Sequence, residues 1–206
     1  SAFTSADIPK ILKLDPDLVL TFSDLQADIV GELIRNGVTM MAYNQRDISG
    51  ILAMIRHLGA VVGAAEEADR LASNYEARLA KISASVGKHR PKVYFEEWDN
   101  PMISGIKWVS QIIEIAGGID VFSLLSEQRA AKDRFVSSEQ VIAAAPDIIL
   151  ASWCGKKVRP EKIAARDGWQ DIPAVKSGHI YEIKSPLILQ PGPAALTDGL
   201  DAICEV

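Results

Sequence analysis

The feature that most constrains the fold of this chain is an internal repeat. Residues 11–20 (ILKLDPDLVL) are echoed at 141–150 (VIAAAPDIIL), 130 positions later, and both copies have the pattern of a helix end, a Pro-Asp turn and a buried strand. Residues 37–41 (GVTMM) and 178–182 (GHIYE), offset by 141, indicate a further strand after a glycine turn. The repeat therefore predicts two similar α/β lobes.

Helices and strands alternate within each copy, which is typical of parallel sheets with right-handed crossovers. In the first copy the pattern predicts helices over 6–13, 24–35 and 47–59 and strands over 17–22 and 38–43. In the second it predicts strands over 92–96, 119–122, 147–152 and 179–183, and helices over 107–116, 138–144, 160–166 and 193–204. Ser137 and Gln140 have the spacing of a capping box in front of the helix over 138–144. The predicted fold is α/β, with two Rossmann-like lobes that each contain a parallel sheet.

The second copy has strands near 92 and 119 before its Pro-Asp turn, and their counterparts in the first copy would precede residue 1. By this comparison we expect the first lobe to be truncated at its N-terminus by about 50 residues.

A long amphipathic helix is predicted between the two copies, from about residue 65 to 86, before Gly87 and Pro91. Apolar residues recur there at spacings of three and four, namely Ala68, Leu71, Ala72, Tyr75, Leu79, Ile82 and Val86. The predicted organisation is a partial N-terminal lobe over 1–64, an interlobe helix over 65–87 and a C-terminal lobe over 88–206.

Charge argues against a nucleic-acid partner. The chain has 22 Lys and Arg against 27 Asp and Glu, a formal net charge of -5, which leaves no basic face large enough for a polyphosphate backbone. The most apolar stretches are far too short to span a bilayer.

Enzyme signatures are absent from the sequence. It contains no G-x-G-x-x-G, Walker, H-E-x-x-H or G-x-S-x-G motif, and no two of His57, His89 and His179 have the spacing of metal ligands. Cys154, after a predicted strand, could be a nucleophile but is better explained as a small packing residue, and Cys204 is predicted to be in the core.

The acidic run Glu96, Glu97 and Asp99 is better explained as a solvated strand end than as a catalytic pair, because adjacent strand residues point to opposite faces. The aromatic residues are more informative. Phe22, Tyr43, Trp98, Trp108 and Trp153 all stand at junctions of strands or helices with loops, a distribution that favours an apolar pocket over ordinary core packing.

The chain resembles the substrate-binding proteins of ABC importers that carry metal chelates, and within them the cobalamin-binding proteins. Four segments carry this resemblance, in the family's order: IPKILKLDPDLVL, FEEWDNPMISGIKWVSQIIEIAGGIDVF, SSEQVIAAAPDIILASWCG and GWQDIPAVKSGHIYEIKSPLILQPGPAALTDGL. It implies two Rossmann-like lobes joined by one long helix, with the ligand in the cleft between them. Members begin with a further strand-helix-strand segment, whose counterpart we expect to precede residue 1.

The resemblance also implies site residues. Ligand-binding residues are expected at Phe22 and Tyr43 in the first lobe and at Trp98, Trp108, Phe122, Trp153 and Leu187 in the second, with Asn100, Ser104 and Ser152 as polar contacts. Carboxylates that dock on the transporter are expected among Asp24, Asp28 and Glu161. Lys107 and the run Lys156, Lys157 and Arg159 are the basic candidates near the cleft, although a solvated loop is the better explanation of that run.

The function expected from this resemblance is capture without catalysis. A monomer would bind cobalamin or a related corrinoid at the periplasmic or extracellular face of the membrane, in a free or lipid-anchored form, and deliver it to the membrane subunits of an ABC transporter. No catalytic residue, metal site or cofactor is expected, with cobalamin as the transported ligand. Ferric-siderophore or haem binding is the nearest alternative. A two-lobed transferase using Cys154 or Glu97, and a docking module without a ligand, are the others.

Overall fold

A computed structural model describes residues 5–206. Contacts within the chain divide it into two compact units, residues 5–45 and Arg46–Val206. The predicted division into 1–64, 65–87 and 88–206 stays a prediction.

The first unit is a small α/β element built around two parallel strands. Its elements are α1 (Ile8–Leu12), β1 (Val19–Thr21), a 3-10 turn (Asp24–Gln26), α2 (Ala27–Arg35) and β2 (Met40–Ala42). The strands pair in the register Val19 to Met40 and Thr21 to Ala42. Because the strands run parallel, the residues that follow them, Phe22 and Tyr43, lie at the same edge of the pair.

The second unit contains a five-stranded sheet with helices around it. Its helices are α3 (Ile48–Val61), α4 (Ala65–Ala84), α5 (Lys107–Ile115), α6 (Ser123–Ser126), α7 (Ser138–Ala144), α8 (Pro160–Ala164), α9 (Pro173–Ser177), α10 (Ser185–Ile188) and α11 (Leu200–Cys204). Its strands are β3 (Lys92–Asp99), β4 (Met102–Ser104), β5 (Ile119–Asp120), β6 (Ile148–Ala151) and β7 (Ile180–Glu182), and short turns cover Ala131–Arg134, Trp169–Asp171 and Ala195–Gly199.

The sheet is mostly parallel. Its strand order is β4, β3, β6, β7, with β5 also paired to β3. Strands β5, β6 and β7 run parallel to their partners, and only β4 is antiparallel. The carboxyl ends of β3, β6 and β7 therefore meet along one edge, which is where open α/β sheets bind ligands.

Two apolar layers cover the two faces of this sheet. Successive strand residues point to opposite faces, so Val93 and Phe95 of β3 pack in one layer while Tyr94 packs in the other. The first layer includes residues of α3, α4, α5 and α11, and the second includes residues of α7, α8 and α9. Helices on both faces of a parallel sheet are the architecture that the repeat predicts.

The α/β class is confirmed, and so are many element boundaries. Helix α7 covers 138–144 as predicted, with Ser137 and Gln140 forming the capping box. The long helix is present as α4, ending two residues before the predicted end. The predicted helix over 193–204 is instead a π turn followed by the short α11, and β4, α6, α9 and α10 were not predicted. Within residues 5–206, no helix combines the length and apolarity needed to cross a membrane.

Candidate ligand-binding edge of the sheet

The carboxyl edge of the five-stranded sheet gathers most of the predicted site residues of the second unit. Trp98 lies near the end of β3, Phe122 follows β5, and Trp153 follows β6. The three aromatic side chains belong to the same apolar layer, in which Trp153 is buried and Trp98 and Phe122 are half-buried. Asn100, just beyond β3, is exposed, and Leu187 lies half-buried in α10 after β7.

Trp98 is a half-buried indole at this edge. Its indole Nε1 donates to the carbonyl of Asn100 at 3.1 Å, a local bond that fixes the ring. The ammonium of Lys156 lies 5.5 Å from its ring centroid. A half-buried, fixed indole is suited to stack on a flat ligand.

Phe122 is held against the interior by a neighbouring ring. Its centroid lies 5.6 Å from that of Tyr94, with an interplanar angle of 83°, the edge-to-face geometry that aromatic pairs prefer. The backbone amide of Phe122 donates to Asp120 Oδ1 at 3.0 Å.

Asp120 itself is a buried acid at the end of β5. Burial raises the pKa of the Asp120 carboxyl, and hydrogen bonds from Ser110 and the Phe122 amide offset only part of that rise.

Two predicted ligand-binding side chains have structural partners instead of open faces. Trp108 in α5 is 5% exposed, and its Nε1 donates to the carbonyl of Ile188 at 2.8 Å. Ser104 in β4 is 1% exposed, and its hydroxyl donates to the carbonyl of Arg134 at 3.1 Å. In this structure neither offers much surface to a ligand, and their role in binding stays a prediction.

The two predicted residues of the first unit lie together at the carboxyl edge of its strand pair. The amide of Phe22 donates to Gln26 Oε1 at 3.0 Å, and the amide of Tyr43 donates to the Thr21 carbonyl at 2.9 Å. Both side chains are half-buried, and burial raises the pKa of the Tyr43 phenol.

The three candidate docking carboxylates are exposed. Asp24 begins the 3-10 turn after β1, Asp28 lies in the first turn of α2, and Glu161 lies in the first turn of α8. A negative charge in the first turn of an α-helix is stabilised by the helix dipole, which is a structural reason for an acid at Asp28 and at Glu161.

A buried ion pair was missed by the sequence analysis. Glu96 in β3 has no exposed surface and accepts hydrogen bonds from the Tyr94 hydroxyl and Trp153 Nε1, each at 3.1 Å. Arg166 donates to it through Nη1 at 2.5 Å and Nη2 at 2.9 Å. The prediction of a solvated strand end is therefore wrong for Glu96. The sequence did contain a signal for this pair, because two acidic residues stand in a strand that is otherwise apolar. A charge buried in such a strand needs a partner of opposite charge.

Burial and the charges of this ion pair shift the pKa values of Tyr94 and Arg166. Burial raises the pKa of the Tyr94 phenol well above its ordinary value, and the charge of Glu96 raises it further. For Arg166, burial lowers the pKa, but the hydrogen bonds and charge of Glu96 outweigh it and the net direction is upward. The network therefore holds Arg166 as a cation.

Glu97 points to the other face of β3 and makes a separate ion pair. Arg134, which is 2% exposed, donates to Glu97 at 2.7 and 3.1 Å and to the Ser104 carbonyl at 2.5 Å. The prediction that Glu96 and Glu97 serve opposite faces is confirmed. Glu97 is therefore held in an ion pair within the second unit.

The exposure of the cysteines and the ion pairs of Lys107 differ in part from what the sequence predicted. Cys204 was predicted to be in the core, but it is exposed near the end of the short α11, as is Cys154 in the loop after β6. The ammonium of Lys107 lies 2.8 Å from Glu127 and 3.9 Å from Asp47, so its charge is matched within the unit. Over residues 5–206, no group of three or more His, Cys, Asp or Glu side chains is arranged to hold a metal ion.

Comparison with known proteins decides the family. The sequence model described as periplasmic binding protein matches residues 1–187, nearly the whole chain. The chain belongs to the periplasmic binding protein family. The resemblance stated from the sequence is therefore confirmed at the level of the family.

Curated relatives include an ABC transporter component and a vitamin B12-binding protein. The chain is 25% identical to an uncharacterized ABC transporter substrate-binding lipoprotein, YvrC, of Bacillus subtilis, over 98% of this chain and 65% of that protein. It is 25% identical to a vitamin B12-binding protein of Vibrio campbellii, over all of this chain and 73% of that protein. The chain thus spans about two thirds to three quarters of the length of these relatives.

Solved structures of periplasmic binding proteins share its fold. A possible iron-binding periplasmic solute-binding protein of Staphylococcus epidermidis aligns with a TM-score of 0.80 at 21% identity, over 98% of this chain and 80% of that one. The periplasmic heme-binding protein RhuT of Roseiflexus aligns with a TM-score of 0.76 at 22% identity, over 96% and 79%. At these identities the likeness establishes the fold of the family.

Proposed function

We propose that this protein is the substrate-binding component of an ABC importer and that it captures cobalamin or a related corrinoid outside the cytoplasmic membrane. The observation that carries this proposal is the aromatic edge of the second unit, defined by Trp98, Phe122 and Trp153. Membership of the periplasmic binding protein family and the vitamin B12-binding relative of Vibrio support it.

The chemistry of the aromatic edge suits a corrinoid. A corrin ring is large, rigid and mostly uncharged at its periphery, so apolar faces supply most of its binding energy and a few amides fix its orientation. The half-buried Trp98 offers such a face, and the exposed Asn100 next to it offers an amide. A rigid ligand also loses little conformational entropy on binding.

The proposed role is that of a carrier without a catalytic step or a resident cofactor. Of the two residues that the transferase alternative would use, Cys154 and Glu97, the carboxylate is held in an ion pair with Arg134. As the cargo of a carrier, the ligand would leave the protein chemically unchanged. We further propose that Asp24, Asp28 or Glu161 contacts the membrane subunits of the importer and that the protein acts as a monomer at the periplasmic or extracellular face, free or lipid-anchored.

A ferric siderophore or haem is the second candidate, and one feature favours it. Beside the aromatic edge lies a cavity lined mostly by basic side chains, among them Lys157, Arg159 and Lys162. Such a cavity suits chelates with carboxylate or other anionic groups better than it suits a neutral ring.

Calorimetric titration of the intact protein with cyanocobalamin, haemin and a ferric hydroxamate, each separately, tests the proposal. Saturable one-to-one binding of cyanocobalamin alone would support the corrinoid, and binding of an iron chelate alone would replace it with the second candidate. Mass spectrometry of the recovered ligand should show an unchanged mass. A modified ligand would contradict the carrier role, and binding of none of the three would contradict the proposed ligand class.

A further inference from the structure

A cavity of about 470 Å³ lies between the loop after β6 and helix α8, at the carboxyl edge of the sheet. We call it the basic cavity, and its lining residues are Asp99, Trp153, Lys156, Lys157, Arg159, Lys162 and Arg166. Its volume is in the range of small-molecule sites. Trp153 belongs to both the basic cavity and the aromatic edge, so the two are contiguous.

The charge of this cavity is opposite to that of the chain. Five cationic side chains and one carboxylate line it, in a chain whose formal net charge is -5. Two of the five are neutralised by ion pairs, Lys156 by Asp99 and Arg166 by Glu96. Three lining cations remain, Lys157, Arg159 and Lys162, so the cavity has a net positive charge.

These three cations differ in how far the protein itself satisfies them. Lys157 lies near enough to Glu182 to help lower the pKa of that carboxyl, whose main cause is the hydrogen bond from Lys184. The side chains of Arg159, at the start of α8, and Lys162, within it, make no hydrogen bond or ion pair with any of the residues that the structure describes. Their donors are therefore available to a ligand.

Two of the lining cations have partners within the protein. Arg166 is held by two hydrogen bonds to Glu96 at 2.5 and 2.9 Å, and its guanidinium carbon lies 4.6 Å from the centroid of Trp169. The ammonium of Lys156 lies 4.9 Å from the ring centroid of Trp153. These contacts hold the two paired cations in place, and the exposed side chains of Arg159 and Lys162 lie beside them at the same cavity.

From this geometry we infer that the basic cavity binds an anionic group, a carboxylate or a phosphate, carried by the ligand whose ring system packs on the aromatic edge. Guanidinium and ammonium groups are the donors that recognise both anions, and the planar fork of Arg159 can bind two oxygens at once. The inference rests on the proposed function. It adds that the ligand is recognised through two parts of its structure, an apolar ring face that packs on the aromatic edge and an anionic group that binds in the basic cavity.

This inference can be tested with pairs of ligands in which one member carries an anionic group and the other does not. Cyanocobalamin carries a phosphodiester that dicyanocobinamide lacks, and haemin carries two propionates that its dimethyl ester masks. The variant is Arg159→Gln/Lys162→Gln, and the control is Arg70→Gln/Lys81→Gln, which removes the same two charges from exposed positions of α4. Dissociation constants are measured by calorimetry on the intact protein and its two variants.

The prediction applies to whichever pair of ligands the wild-type protein binds. For the anionic member of that pair, the dissociation constant of the cavity variant should be about 10-fold or more above that of wild type, because hydrogen bonds to charged groups are lost. Binding of the neutral member should change less than about 2-fold, and the control variant should bind both as wild type does. Equal losses for the two members, or no loss for either, would overturn the inference and leave the proposed function intact.

Citrate and inorganic phosphate provide a test that does not depend on the ring system. Trp153 lies in the cavity wall, so occupation of the cavity by either anion should change tryptophan fluorescence in wild type and in the control but not in the cavity variant. If none of the four chelates binds, the proposed function fails and this second test decides the inference alone. No anion response, or the same response in the cavity variant, would then overturn it.

Discussion

The guanidinium of Arg166 binds both oxygens of the Glu96 carboxylate, at 2.5 and 2.9 Å, in a place where Glu96 has no exposed surface. The two residues are 70 positions apart, on strand β3 and just after α8, so the pair ties a central strand to the helical layer over it. Tyr94 and Trp153 complete the shell of donors around the carboxylate. The pair therefore also fixes the wall that the aromatic edge and the basic cavity share.

Arg166→Met should destabilise the protein by about 3 to 5 kcal/mol, because removing one partner of a buried pair leaves the other as an uncompensated charge. Urea denaturation followed by circular dichroism measures the change. The double variant Glu96→Gln/Arg166→Met removes both charges and should recover much of the loss. If the double variant were as unstable as the single one, the charge of Glu96 would not be the cause.

Asp120 should make stability depend on pH. Burial raises the pKa of its carboxyl above the ordinary 3.8, and its Oδ2 has no hydrogen-bond partner within the described part of the chain. The folded chain therefore holds this proton more tightly than the unfolded chain does. The resulting stabilisation is fully present below the unfolded pKa near 3.8 and is lost as the pH rises through the raised folded pKa.

The comparison with Asp120→Asn isolates this effect. Between about pH 4 and pH 7, the free energy of unfolding of wild type should fall relative to that of the variant, which has no titratable group at this position. Urea denaturation of both proteins across this range measures the difference. A difference that stays constant with pH, or that grows in favour of wild type, would contradict the raised pKa.

Local sequence patterns predicted most of the secondary structure because each pattern needs only neighbouring residues. The capping box of Ser137 and Gln140 and the three-and-four spacing in α4 are such signals, and both elements lie close to their predicted bounds. Strand β4 was missed because its three residues, Met102–Ser104, form a strand only by pairing back on the end of β3. That pairing is decided by a turn and not by a periodic pattern.

The candidate site was harder to predict because it depends on contacts between distant segments. The positions of Trp98 and Trp153 after strands were predictable, since the carboxyl ends of parallel strands share an edge. The burial of Trp108 depends on its bond to Ile188, 80 positions away, and the partner of Glu96 lies 70 positions away. Nothing in the local sequence around either residue indicates those partners.

Trp98→Ala should weaken binding of the corrinoid by about 1 to 3 kcal/mol, because the variant removes one large apolar face from the aromatic edge. Trp98 is half-buried and its indole bonds only locally, to the Asn100 carbonyl, so folding should survive the change. Calorimetric titration with cyanocobalamin measures the effect. Trp98→Phe keeps a ring and should lose less, and Tyr75→Ala, an aromatic truncation on α4, is the control for nonspecific effects. An unchanged dissociation constant in Trp98→Ala would remove Trp98 from the site.

Exchange of the exposed carboxylates should separate transport from binding. Asp28→Lys and Glu161→Gln alter exposed acids in the first turns of α2 and α8. Neither acid is among the residues of the aromatic edge or of the basic cavity, so the affinity for ligand should stay within about 2-fold. If these acids meet arginines of the membrane subunits, uptake into vesicles containing the importer should slow, and more strongly at low salt, because exposed ion pairs guide approach more than they add affinity. Glu66→Lys in the first turn of α4 is the matched control. Uptake equal to that of wild type in both variants would exclude Asp28 and Glu161 from docking and leave Asp24 as the remaining candidate.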